Sequence, residues 1–323
     1  MTGGILAEHA WLWPLVWQST LCLAAGLGGS VLLRRRPARA HQALLIAMVA
    51  AAAIPAMSHI VRKHRWGLFI EPPATANMSQ APSASGSDLA APPEFLPQDG
   101  SEYVAAPGPR MHDARATHPA GGSHLVQWLP AAWLSLGAIL LARLLTRFML
   151  SLRLVVQSRP ATSHDITDVL HAARARLGVA ANVAVRSSGR VLSPMIWCWA
   201  AEPILLVPND AGHGGHRLDW TSILCHELAH WRRRDHITGL FAELMVCVLP
   251  WQALLWWAQR RLARLSEEAC DDWVVACGRS GVDYAETLLG LTPQGRLAFA
   301  PAVVSSRKPL AERVRRILQD HCG

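Results

Sequence analysis

His226 and His230 stand four residues apart, with Glu227 directly after the first, in the pentapeptide His226-Glu227-Leu228-Ala229-His230. On a helix, residues at that spacing lie one above the other on a single face, about 5–6 Å apart at Cβ. Two imidazoles so placed can bind one Zn²⁺, and the adjacent carboxylate faces the open metal position, where it can activate water. The local pattern supplies the helix. Asp219 is an N-cap residue type, and Trp220, Leu224 and Leu228 recur at helical spacing. The alternative is a basic helix whose histidines only satisfy hydrogen bonds, so the chemistry turns on a third ligand.

A catalytic zinc site takes three protein ligands and leaves the fourth position to water or substrate. After His230, the first acidic cluster outside the motif's own helix is Ser266-Glu267-Glu268-Ala269-Cys270-Asp271-Asp272. Glu267 and Asp271 are spaced i, i+4 and share a helical face. Glu267 is accordingly the expected third ligand. Asp271 is expected to accept the N–H of a zinc-bound imidazole, which fixes the tautomer and raises the ligand's basicity. Glu268 points elsewhere. Glu227 is the expected general base. For the developing oxyanion, His236 and Tyr284 are the candidates, by side-chain chemistry alone. Cys225 and Cys270 flank the two motifs, and Cys225 points off the histidine face and reads as buried packing.

Taken in order, these segments resemble the BlaR/MecR family of membrane-bound antirepressor metallopeptidases, a branch of the gluzincins. The resemblance is carried by HELAHWRRRDH (226–236), an apolar stretch with Pro250-Trp251, RRLARLSEEACDDWVV (260–275) and Tyr284-Ala285-Glu286-Thr287-Leu288-Leu289. Upstream, Ser193-Pro194 and Pro203-Ile204-Leu205-Leu206-Val207-Pro208 resemble the family's strand before the zinc helix. The family usually has a glycine between those two prolines, where this chain reads Trp197-Cys198-Trp199-Ala200-Ala201. The match is strong over about 160–320 and extends to the membrane spans only by architecture.

What the resemblance implies is a cytoplasmic gluzincin-like zinc peptidase that cleaves a winged-helix repressor in response to an envelope signal. It also implies an edge strand beside the zinc helix that takes the substrate backbone as an added strand. Two other readings compete. An HtpX-like housekeeping membrane protease shares HExxH and a downstream ExxxD, and a non-proteolytic scaffold would keep only a relict site. Cys270-Asp271-Asp272 and the RRRDH after the second histidine favour the first reading. Intact His226, Glu227, His230 and Glu267 count against the scaffold. Members that sense β-lactams carry a penicillin-binding domain after a final span. Ser305-Ser306-Arg307-Lys308 matches the acylation signature SxxK, but fifteen following residues build no such domain. The match reads as accidental and the chain is expected to lack that sensor.

Composition points to a membrane. Hydrophobic residues make up 51% and charged ones 17%, with 14 Trp against 2 Tyr; a soluble domain carries about a quarter charged residues. Three stretches are long and apolar enough to span: about 11–33, about 42–61 with Pro55, and about 125–149 with Arg143 and Arg147 at one end. The first is not a cleavable signal, because its arginines, Arg34, Arg35, Arg36 and Arg39, follow it. Those arginines keep 34–40 cytoplasmic and the N-terminus outside. The second span then returns outward and the third brings the chain back in. Arg147, Arg153 and Arg159 agree with this, whereas Arg62, Lys63 and Arg65 open a long loop where the charge rule weakens. The loop itself, 62–123, is rich in Pro, Ala and Ser and reads as a flexible tether, with His112, His118 and His124 solvated.

The apolar stretch 237–257 is long enough to cross, yet His226 and His230 precede it and Glu267 follows it. One zinc cannot take ligands from opposite sides of a membrane. Glu243 is costly in lipid, and Pro250 with Trp251, Trp256 and Trp257 suits a bend at the interface. The expectation is a re-entrant or interfacial hairpin.

The remainder, 150–236 joined to 258–323, reads as α+β. A helix over Asp165–Leu177 closes at Gly178. Strands are expected at Asn182–Val185, Met195–Trp199 and Ile204–Val207. Helices follow at about 221–236, 259–277, 283–291 and 308–320, the last with Leu310, Val314, Ile317 and Leu318 on one face and arginines opposite. The net charge of +8 is placed largely at the membrane's inner face, where Arg232-Arg233-Arg234 and Arg260-Arg261 adjoin apolar segments. No nucleic-acid motif accompanies it, so the expected partners are the lipid bilayer and a protein substrate. Seven cysteines, none of them in the outer loop, argue against a disulfide framework. The whole is three transmembrane helices and a hairpin attached to a cytoplasmic zinc peptidase domain at the plasma membrane. Its divisions are 1–61, 62–123, 124–149 and 150–323.

Overall fold

The computed structural model describes residues 12–64, 124–161, 164–209, 219–291 and 307–319. The stretch 65–123, most of the expected outer loop, lies outside the described residues, as do Ser305 and Ser306. In chain order the first elements are α1 (Leu12–Leu32), α2 (Pro37–Lys63), α3 (His124–Gln157), β1 (Arg159–Pro160) and α4 (His164–Leu177). Then come β2 (Ala184–Ser188), β3 (Met195–Trp197), β4 (Ile204–Pro208) and α5 (Trp220–Arg233). The last are α6 (Asp235–Val248), α7 (Ala253–Ala276), α8 (Gly281–Gly290) and α9 (Arg307–Gln319).

Five of the helices make a bundle. Leu23, Leu27, Leu44 and Met48 of α1 and α2 pack with Met245 and Val246 of α6 and with Leu255 and Leu262 of α7. Two glycines set the closest approaches. A Cβ on Gly26 would sit 2.3 Å from the Cβ of Ala47, and one on Gly137 would sit 2.7 Å from the carbonyl oxygen of Cys247. Hydrogen alone fits in either place, so α1 seats on α2 and α3 on α6 at nearly backbone distance. Trp133 Nε1 adds a hydrogen bond to the Val248 carbonyl, 2.8 Å.

The stretch 237–257 is a helical hairpin, with α6 and α7 joined at Leu249–Gln252. Its tip is held by a buried amide. Gln252 Nε2 donates to Ser19 Oγ at 3.1 Å and to Thr20 Oγ1 at 3.0 Å, in the middle of α1. Among the described residues one stretch, Pro37–Ser58, is long and apolar enough to cross a membrane, with mean hydropathy 1.7 over 22 residues; Val16–Leu32 is a shorter apolar helix. On α3, Leu134 is 71% and Trp128 70% exposed, an apolar face larger than water-facing helices carry.

The sheet has the order β1-β2-β4-β3. β2 and β4 run parallel with Ala184 opposite Ile204, while β3 is antiparallel to β4 with Ile196 opposite Leu205. Successive strand residues face opposite ways, and both faces of β4 are covered. Leu205 and Val207 enter the core built from α4, α5, α8 and α9. Leu206 packs with Trp197, Val191 and Val155 against the end of α3. That double burial is why the strand reads Ile-Leu-Leu-Val without alternation. β3, with β4 as its one strand neighbour, is an edge strand and touches α5.

Local signals behave as read. Asp219 caps α5, accepting from Thr221 N–H at 3.1 Å and Ser222 Oγ at 2.5 Å, and Arg279 Nε binds the same carboxylate at 2.9 Å. Gly178, φ +61°, closes α4, and Val179 N–H reaches back to the Arg174 carbonyl at 2.9 Å. Several boundaries differ. β2 lies at 184–188 rather than 182–185, and β3 stops at Trp197, not Trp199. The α7 helix starts at Ala253, not at 259, because the apolar stretch is already helical on both sides of Pro250.

A further difference, at the end of α5, matters most. The helix expected to run to 236 ends at Arg233, because Arg234 adopts the left-handed conformation, φ 58° and ψ 37°. Among the described residues it is the one non-glycine with positive φ, at a cost of about 1–2 kcal/mol. Its exposed side chain makes no capping bond. Arg234→Gly is therefore expected to raise unfolding stability by up to about 1 kcal/mol and Arg234→Val to lower it by at least as much. Denaturant titration of the detergent-solubilised chain checks this; equal stabilities for the two variants would mean the turn stores no strain.

Candidate metal centre

His226 and His230 lie on successive turns of α5 and bring their Nε2 atoms to 3.2 Å. Glu267 of α7 closes a triangle with them. Its Oε2 is 3.5 Å from His226 Nε2 and its Oε1 is 3.5 Å from His230 Nε2. Ligands on a tetrahedral zinc with bonds of about 2.1 Å stand about 3.4 Å apart. Two imidazoles and a carboxylate at these separations fit one such ion without rearrangement, and the three form a group able to hold a metal.

Behind each imidazole stands a carboxylate. His226 Nδ1 is 3.3 Å from Asp271 Oδ1 and 3.0 Å from the Tyr284 hydroxyl, which itself donates to Asp271 Oδ1 at 2.7 Å. His230 Nδ1 is 2.9 Å from Asp235 Oδ2, an oxygen that also accepts from Ser266 Oγ at 2.6 Å and Arg233 Nε at 3.3 Å. Such partners fix each ring as Nδ1–H and leave Nε2 free for a metal.

Arg313 of α9 is the cation that makes the carboxylates tolerable. Its Nε and Nη2 grip Asp271 at 2.9 and 2.7 Å, and its Nη1 reaches Glu267 Oε2 at 3.0 Å. Burial alone would raise the Asp271 pKa, but hydrogen bonds from His226 and Arg313 and the charge of Arg313 hold it well below the usual carboxylate range. Glu267 is likewise penalised by burial, yet the His226 hydrogen bond and the charges of His226 and Arg313 bring it down to about 2. Burial would lower His226, but its bonds to Asp271 and Glu267 raise it to about 9. The metal-free site is thus a protonated imidazole between two ionised carboxylates.

Glu227 sits on the same helix with its Oε2 accepting the backbone N–H of Ile196 at 3.0 Å. Burial raises its pKa, with His226 and His230 opposing. The bond ties this carboxylate to edge strand β3. Glu268 faces Arg261 at 3.5 Å, away from the triangle. Cys225 is fully buried in the core, and burial pushes its thiol up to about 12. Cys270 lies behind His230, its Sγ 3.3 Å from Nδ1.

Tyr284 stands behind His226. Its hydroxyl is 1% exposed with the rest of the residue, stands on the Nδ1 side of His226 and already spends its proton on Asp271. His236 packs edge-to-face on Trp199, ring centroids 5.1 Å apart, with Nδ1 buried and without a partner among the described residues. Two residues escaped the sequence reading, Arg313 and Asp235. Arg313 adjoins Val314 at the border of the apolar stripe of α9, where a long side chain reaches over the core edge. Asp235 follows His230 by five, a spacing that a continuous helix would turn away and that the break at Arg234 brings back.

The model of the family described as BlaR1 peptidase M56 matches residues 31–317. No curated protein matches the chain. Because Asp271 is 1% exposed, removing its cation leaves a buried charge. Arg313→Ala is expected to cost about 3 kcal/mol or more in urea unfolding. Arg313→Lys should recover only part, since an ammonium cannot make the bidentate grip. A fully stable Arg313→Ala would show that α9 is not what balances these carboxylates.

Proposed function

The chain belongs to the M56 peptidases, the family described as BlaR1 peptidases, and from that premise we propose that it is an integral-membrane zinc endopeptidase that cleaves a cytoplasmic winged-helix repressor. The observation that carries the peptidase reading is the triangle of His226 Nε2, His230 Nε2 and Glu267 Oε, each imidazole backed by a carboxylate, with Glu227 beside it. A zinc ion held there would supply a Lewis acid that acidifies water and polarises the scissile carbonyl.

The residues do the rest. Asp271 and Asp235 keep the two rings in one tautomer and one orientation. Glu227 takes the proton of the attacking water and delivers it to the leaving nitrogen, a role its raised pKa suits. The outer edge of β3 pairs with an extended substrate segment. That segment competes with Glu227 for the Ile196 N–H, so substrate docking frees the base. With Tyr284 committed behind His226, His236 remains the donor proposed for the oxyanion.

In this reading α1, α2 and α3 cross the membrane and the α6–α7 hairpin enters from the cytoplasmic side without crossing. The charge rule keeps Arg34, Arg35 and Arg36 inside, and His41, one turn beyond them on α2, is in electrostatic reach of Arg233 and Asp235 at the metal centre. Both facts support a cytoplasmic site. Cysteine probes on a cysteine-free background test it. A probe at 90 should react with a membrane-impermeant reagent in intact cells, and probes at 212 and 280 should not. Labelling at 280 but not at 212 would reveal a crossing between His230 and Glu267 and end the three-ligand site.

Zinc content separates the roles. Glu227→Gln should keep about one zinc per chain while cleavage of a co-produced tagged repressor falls roughly 10²–10⁴-fold, and Glu267→Ala should lose zinc. Wild-type cleavage by Glu227→Gln would refute the mechanism. Zinc must also displace the proton that His226 holds up to about pH 9. Apparent zinc affinity should therefore rise roughly tenfold per pH unit below that value and level off above it. Glu267 stays ionised down to about pH 2 and sets no limit. A flat profile from pH 6 to 9, measured by chelator competition, would contradict the protonated His226.

A further inference from the structure

Two buried polar atoms near the metal centre lack partners among the described residues, and they are chemically complementary. One is Nε2 of His41, a residue 5% exposed near the start of α2. The other is Oδ1 of Asp235, whose second oxygen is taken by His230, Ser266 and Arg233. The helices that carry them, α2 and α6, are in contact, and His41 is in electrostatic reach of both Asp235 and Arg233. A ring nitrogen offers a proton and a carboxylate oxygen receives one, while burial denies both of them bulk water.

We propose that His41 is a positioning residue for the metal centre: its Nε2–H binds Asp235 Oδ1 through one bridging water and so joins helix α2 to the metal ligand His230. The proposal rests on the zinc reading given above. Its consequence is a mechanical path of two links, His41 to Asp235 and Asp235 to His230. The helix at its outer end is already fastened to α1 at Gly26 and Ala47, where a Cβ on the glycine would be 2.3 Å from its neighbour. The two helices therefore move as one, and a shift of the pair is felt first at the carboxylate that orients His230. His41 touches neither metal nor substrate; it acts through Asp235.

The test uses the full chain in detergent with Co²⁺ in place of zinc, because cobalt absorption reports ligand geometry independently of activity. His41→Leu keeps apolar bulk and removes the ring nitrogens. It is expected to weaken metal affinity in chelator competition by about tenfold and to shift the cobalt bands. His41→Gln, whose amide N–H can replace Nε2–H, should restore both. Combined with Asp235→Asn, His41→Leu should add nothing to the loss from Asp235→Asn alone. Wild-type affinity and spectrum in His41→Leu, or additive losses in the double variant, would overturn the proposal. Should His41→Leu not fold, His41→Ala carries the same comparison. A wild-type chain that binds no metal overturns the zinc reading and this proposal together; a metal-binding wild type with an unaffected His41→Leu overturns the proposal alone.

Discussion

The carboxylates behind the two imidazoles are the constraint on which the site depends. An aspartate as buried as Asp271 is costly unless its charge is matched and its lone pairs are filled. Three groups from three elements meet that need: the His226 ring, the Tyr284 hydroxyl and the Arg313 guanidinium. The placements of α8 and α9 follow, since each brings one of those groups to α7. Asp235 imposes the same demand on the other ring. It can reach His230 Nδ1 only because the chain reverses at Arg234. The left-handed residue, an irregularity in the backbone, is what gives the second imidazole its support.

The sheet's part is to hold Glu227. β4 is buried on both faces and fixes β3 at the edge, and the free side of β3 supplies the N–H that Glu227 accepts. Helix α5 is pinned at its start by Asp219 and Arg279, so the distance between Glu227 and the strand is set from both ends. The two imidazoles and Glu227 thus belong to one helix whose two sides answer to different neighbours, Glu267 of α7 for the rings and β3 for the Glu227 carboxylate.

The residues that would touch a metal were legible because the i, i+4 rule needs only a helix, and helix signals are local. His226, His230, Glu267 and Asp271 all come from such pairs. The hairpin at 237–257 was legible for a different reason. Ligands on both sides of an apolar stretch leave few paths for the chain, and the structure has the two helices and the turn that this logic requires. What sequence could not show were contacts made by breaking a rule or by long side chains. Asp235 is useful because a helix stops early, and Arg313 because its guanidinium extends past the apolar stripe to a helix more than forty residues away. Tyr284 was assigned by chemistry alone, and chemistry does not say on which side of a ring a hydroxyl stands. Strand limits slipped by two or three residues because β2 and β3 are short and half-buried, so no burial period marks their ends.

Helix α7 belongs to both halves of the molecule. Its first turns bury Leu255, Ala258 and Leu262 in the bundle, and its last turns bury Ala269, Cys270 and Val274 in the domain of the metal centre. Its 24 residues, Ala253–Ala276, contain neither glycine nor proline, and they make a rod about 36 Å long. Nothing along that rod can act as a joint. The apolar layer and the catalytic layer consequently cannot loosen one at a time. One uninterrupted helix carries both, so a displacement of its bundle end is transmitted along its axis to the Glu267 end.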